Sequence, residues 1–104
     1  MMKRALVLTL AASWAMQAWA APDMLALAKA KNCLACHSVD SKVVGPAYKS
    51  VARKYAGKPG AEQMLVSAVL HGHVGTWGKI PMPPNTDVTP AQARELAAWI
   101  LSLK

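Results

Sequence analysis

The chain has 104 residues, of which 54% are hydrophobic, and twelve Lys and Arg against five Asp and Glu give a formal net charge of +7. This length suits one small domain. The basic residues are scattered, with no run of the ~5–8 residues that marks nucleic-acid binding, so the charge reads as a solvated basic surface or a face for acidic protein partners.

The chain opens as an export signal. Lys3 and Arg4 precede an apolar run from Ala5 to Met16, and Ala18-Trp19-Ala20 places small residues where a signal peptidase cuts. Residues 1–20 are expected to be a secretory signal peptide, leaving 21–104 as the domain. An uncleaved anchor is disfavoured, because the apolar run falls short of the ~20 residues of a membrane span and Asp23 soon follows. Lys3-Arg4 is not a twin-arginine pair, so export precedes folding. Cleavage removes two basic residues and no acidic one, which leaves 84 residues carrying a formal +5. Trp77, Trp99, Tyr48 and Tyr55 are then the only large aromatics, with no Phe. So small a core commonly needs an added constraint.

After Pro22-Asp23, a first helix is predicted from about Met24 to Lys31. It runs into Cys33-Leu34-Ala35-Cys36-His37, which holds the only two cysteines in the chain. Thiols three residues apart lie on one side of a helical turn, where each can add to a vinyl group along one edge of a haem. The next residue offers an imidazole to the iron. C-x-x-C-H is therefore read as attachment of one covalently bound haem c. A redox dithiol normally sits beside a βαβ pattern, and none is present. A structural zinc site needs four ligands, and only Cys33, Cys36, His71 and His73 could supply them.

Ser38 to Pro46 is polar, contains Gly45-Pro46, and reads as loop. Tyr48, Val51, Ala52 and Tyr55 recur at i, i+3, i+4 and i+7, an amphipathic helix ending at Gly57. Lys58-Pro59-Gly60 makes a turn. Met64, Leu65, Ala68 and Val69 mark a third helix that stops near His71-Gly72. Residues 73–88 hold Gly75, Gly78, Pro81, Pro83 and Pro84 and form a long loop, which in so small a domain is usually functional. Thr89-Pro90-Ala91-Gln92 restarts a helix, with Thr89 as N-cap, Pro90 at the first position and Gln92 closing a capping box. Ala93, Leu96, Ala97, Ile100 and Leu103 form its apolar stripe. No segment alternates as a strand does, so the class is all-α with short helices and long loops.

His37 leaves the opposite face of the iron to be filled. Met24 and Met64 lie on helices, where methionine usually fills core. Met82 sits in Ile80-Pro81-Met82-Pro83-Pro84-Asn85, and the prolines stiffen the backbone that presents its sulfur. Met82 is the favoured second axial ligand, giving His/Met iron of raised potential. His71 or His73 is the competing ligand, disfavoured because His71-Gly72-His73 reads as an exposed helix end.

Together with the pentapeptide, Val44-Gly45-Pro46-Ala47-Tyr48, Trp77-Gly78, Ile80-Pro81-Met82-Pro83-Pro84-Asn85 and Ala97-Ala98-Trp99-Ile100-Leu101 resemble the small bacterial class I cytochromes c of the cytochrome c-551 type. The resemblance spans residues 21–104. It implies about four short helices around the haem, with the first and last crossing. It also implies that the Pro46 carbonyl accepts from His37, that Asn85 bonds near the Met82 sulfur, and that the Trp77 indole N–H points at a buried propionate. Two positions depart from many relatives: Ala68, where a basic residue stands near a propionate, and Ala28, where an aromatic is common.

The expected function is a soluble, monomeric, periplasmic electron carrier, since iron closed by His37 and Met82 has no free position for a substrate. Its partners are expected to be a cytochrome or copper-protein donor and a terminal reductase or oxidase, met through transient, salt-sensitive docking. No nucleic acid and no stable membrane insertion after cleavage are expected. A haem enzyme or gas carrier would need an open distal position. A thiol-disulfide protein using Cys33 and Cys36 would contain no haem.

Overall fold

A computed structural model describes residues 23–104, together with Met2, Lys3 and Ala5. The expected signal peptide and its cleavage after Ala20 otherwise lie outside the described residues.

Among the described residues the chain forms four α-helices and one 3₁₀ turn: α1 (Met24–Ala30), the turn (Cys33–Ala35), α2 (Tyr48–Tyr55), α3 (Ala61–His71) and α4 (Pro90–Ser102). Each helix end has a chemical cause. Asp23 caps α1 by accepting from the Ala26 N–H at 3.0 Å. Asn32, in the left-handed region at φ 64°, turns the chain out of α1 toward Cys33. Helix α3 begins three residues before its predicted apolar stripe, because Gly60 at φ 77° already sets the turn that starts it. The predicted capping box of α4 is complete: Thr89 Oγ1 accepts from the Gln92 N–H at 3.1 Å, and Gln92 Oε1 accepts from the Thr89 N–H at 3.1 Å.

Helix α4 is the axis of the fold and packs against α1, α2 and α3. Its contact with α1 is made by small residues. Ala28 and Ala93 are both fully buried, beside Leu96 and Val88, so the backbones approach closely where an aromatic at position 28 would hold them apart. A second cluster gathers Tyr48, Val51, Tyr55, Ala61 and Ile100. Burying a Leu or Ile side chain contributes ~1.5–3 kcal/mol, but half of the buried hydrophobic residues are alanines. The described residues thus assemble a thin core around a large cavity.

Candidate haem site

The first wall of that cavity grows from the cysteine turn. The Cys36 N–H donates to the Cys33 carbonyl at 3.2 Å and the His37 N–H to the same oxygen at 3.0 Å. This one helical turn gathers both cysteine sulfurs and the imidazole. The chain then loops back so that the Gly45 N–H donates to the Cys36 carbonyl at 2.7 Å. Pro46 follows, and its carbonyl lies 2.8 Å from His37 Nδ1. A carbonyl can only accept, so Nδ1 carries the proton and Nε2 keeps its lone pair.

Two further contacts hold the ring. Tyr48 stacks on it at 5.0 Å between centroids and 22° between planes. Gly45 lies so close that a Cβ there would stand 2.5 Å from His37 Cε1. Burial pushes the Cys33 thiol pKa up, with a hydrogen bond to Tyr48 acting the other way. Burial, then the nearby Cys33, raises the Tyr48 hydroxyl well above its ordinary value.

The opposite wall has no regular structure. Met82 and His73 form an isolated antiparallel bridge, with N–H to carbonyl distances of 2.7 Å from Met82 and 3.0 Å from His73. Gly72, at φ 82° and ψ 168°, makes the corner before it, and a Cβ there would stand 2.7 Å from the Met82 carbonyl oxygen. The Asn85 N–H donates to the Val69 carbonyl at 2.8 Å. Asn85 Nδ2 donates to the Lys31 carbonyl at 2.9 Å, and its Oδ1 accepts from the Asp87 N–H at 3.0 Å. Asn85 therefore ties the Met82 loop to the residue two places before Cys33.

Cys33, Cys36, His37, Pro46, Trp77, Met82 and Asn85 all line one cavity of about 860 Å³. That size lies within the ~300–1,000 Å³ of typical cofactor sites. Two thiols, the oriented His37 imidazole and the Met82 thioether, with Met64 and His73 also on its walls, form a donor set that fits a covalent haem. Trp77 is half-exposed, with Lys54 Nζ 5.5 Å from its ring centroid. Ala68 is also on the wall.

Residues 25–104 match the family model described as Cytochrome c. The chain belongs to the cytochrome c family. It is 50% identical over 103 residues to cytochrome c-552 of Nitrosomonas europaea, spanning 99% of this chain and 100% of that protein. Over 87 residues it is 53% identical to cytochrome c-551 of Pseudomonas aeruginosa, spanning 84% of this chain and 82% of that one. The crystal structure of wild-type Nitrosomonas europaea cytochrome c552 aligns with a TM-score of 0.75 at 54% identity, covering 77% of this chain and 99% of that one.

The chain is thus a small class I c-type cytochrome with the four-helix fold, carrying a single covalently bound haem c. It is an electron carrier and not an enzyme. Periplasmic location is typical of such cytochromes, as is electron transfer with redox partners.

At the site, the folded chain corrects the reading of His71-Gly72-His73 as a single exposed helix end and adds three residues. His71 is an exposed helix end, but His73 is half-buried and paired with Met82. Tyr48, Gly45 and Gly72 shape the site without having been singled out for it. Tyr48 was legible only as part of an amphipathic stripe. Glycine beside proline signalled a turn, with no sign of which ring lies against it.

Proposed function

We propose that Cys33 and Cys36 hold the haem as thioethers, that His37 and Met82 are the axial ligands of its iron, and that the domain of residues 21–104 works in the periplasm after residues 1–20 are removed. The observation that carries this reading is the convergence of two thiols, the His37 imidazole and the Met82 thioether on one cavity. When bound, haem c supplies a one-electron Fe(III)/Fe(II) couple, raised in potential by thioether ligation.

The chain's own residues hold that couple steady. Pro46 fixes the tautomer that leaves His37 Nε2 free to ligate, as partners of metal-bound histidines generally do. Tyr48 and Gly45 restrict rotation of the ring. Pro81, Pro83 and Pro84 stiffen the backbone around Met82, and the His73 bridge fixes its register. Asn85 has one amide N–H committed to Lys31, which leaves the other for the Met82 sulfur. Trp77 offers its indole N–H to a propionate, with the Lys54 ammonium beside it. Ligands held this firmly move little between oxidation states, which favours outer-sphere transfer.

The cavity rim sets the docking face. Val43, Val44 and Ile80 are exposed there, flanked by Lys42 and Lys79. Lysines around an apolar patch steer acidic partners into a transient complex that weakens with salt. Such partners are a cytochrome or copper protein as donor and a terminal reductase or oxidase as acceptor, with the carrier monomeric.

The test is the absorption spectrum of the purified protein with a denaturing pyridine step, followed by carbon monoxide addition to the reduced form. A covalent haem that stays low-spin and resists carbon monoxide at neutral pH is expected. An unbound haem contradicts the thioethers, and rapid carbon monoxide binding contradicts a closed iron.

A further inference from the structure

The function above uses the backbone of His73 and leaves its imidazole without a role. It exchanges both backbone hydrogen bonds with Met82. Residues paired in this way sit ~5.5 Å apart at Cα and send their side chains to the same face. Both residues line the cavity. The imidazole is therefore the cross-strand neighbour of the thioether. His71, two residues earlier, is exposed and does not line the cavity.

The ring is also held. His73 Nε2 lies 2.7 Å from Thr76 Oγ1. In the tautomer that accepts from the Thr76 hydroxyl, Nε2 already carries the lone pair a metal needs. Lys31, Lys42 and Lys79 also line the cavity, but an ammonium has three donors and no lone pair, and so must first lose a proton. Imidazole is the commonest protein ligand to metals.

We propose that His73 is a latent axial ligand, which replaces the Met82 sulfur whenever the sulfur–iron bond is lost, with Thr76 holding it in reserve until then. The inference rests on the reading of Met82 as ligand. The exchange breaks one iron–sulfur bond and forms one iron–nitrogen bond. The Thr76 hydroxyl gives up its hydrogen bond to Nε2, and no electron is transferred. Loss of the sulfur then leaves the site closed and lowers the potential, because Met/His ligation is the arrangement that raises it. The carrier does not become an open-site haem protein.

The test uses the haem-loaded, ferric Met82→Ala protein at neutral pH, followed by visible absorption and electron paramagnetic resonance. Loss of the sulfur-to-iron band with a low-spin, bis-imidazole signature is expected. Met82→Ala/His73→Ala should turn high-spin and bind carbon monoxide rapidly when reduced, whereas Met82→Ala/His71→Ala should stay low-spin. A high-spin Met82→Ala protein overturns the role of His73 and leaves Met82 as ligand intact. A low-spin Met82→Ala/His73→Ala protein also overturns it. A sulfur band that survives in Met82→Ala overturns the ligand assignment itself, and the inference with it.

Should Met82→Ala fail to load haem, wild type and His73→Ala can be warmed until the sulfur band fades. Low-spin iron retained only in wild type supports the inference, and the same spin change in both overturns it.

Discussion

The two walls of the haem cavity are built by different means. On the His37 side, one helical turn sets three reactive groups, and the imidazole is held by a carbonyl, an aromatic ring and a glycine floor. On the Met82 side, backbone pairing, prolines and one asparagine position the sulfur, and no contact comparable to the Tyr48 stack appears among the described residues. The first wall fixes a ring directly, whereas the second fixes a main chain and lets a flexible side chain reach out from it. Disturbance should therefore reach the sulfur before the imidazole.

Four variants probe that difference. The largest effect is expected from Cys33→Ser with Cys36→Ser, which removes both attachment points; haem should extract completely into acidified organic solvent. Gly72→Ala comes next. Its φ and ψ lie in a region open essentially to glycine, so strain costs about 1–3 kcal/mol. The clash with the Met82 carbonyl adds about 1–3 kcal/mol of overpacking. Denaturant titration should show a lowered midpoint, with the sulfur-to-iron band lost before the global transition.

Gly45→Ala should cost about 1–3 kcal/mol, since the His37 ring is pinned by Pro46 and Tyr48 and cannot yield. Here the sulfur band should persist until the chain unfolds as a whole; its early loss would erase the contrast between the walls. Thr89→Ala removes a cap remote from both walls and should cost about 1 kcal/mol in the same titration, with an unchanged reduction potential.

Much of this was legible in the sequence because the signals are local. Thr89, Pro90 and Gln92 specify a helix start by their own hydrogen-bonding capacity, and Tyr48 to Tyr55 specify one by spacing. The pentapeptide defines its own chemistry. What stayed hidden depends on tertiary approach. No spacing rule places His73 opposite Met82, because the bridge is closed by a loop containing two glycines at positive φ, Gly75 and Gly78. The bond from Asn85 to the Lys31 carbonyl joins residues 54 apart in the chain. Helix α1 ends one residue before the predicted Lys31, which still donates to the Leu27 carbonyl while no longer holding helical geometry.

Closure of the iron by His37 on one wall and Met82 on the other is tested most directly by the sulfur-to-iron band and the midpoint potential of the haem-loaded protein, compared between wild type and Met82→Ala. The band should be present in wild type and absent in the variant, with a lower potential. A band that survives the substitution, or a potential that does not move, contradicts the account.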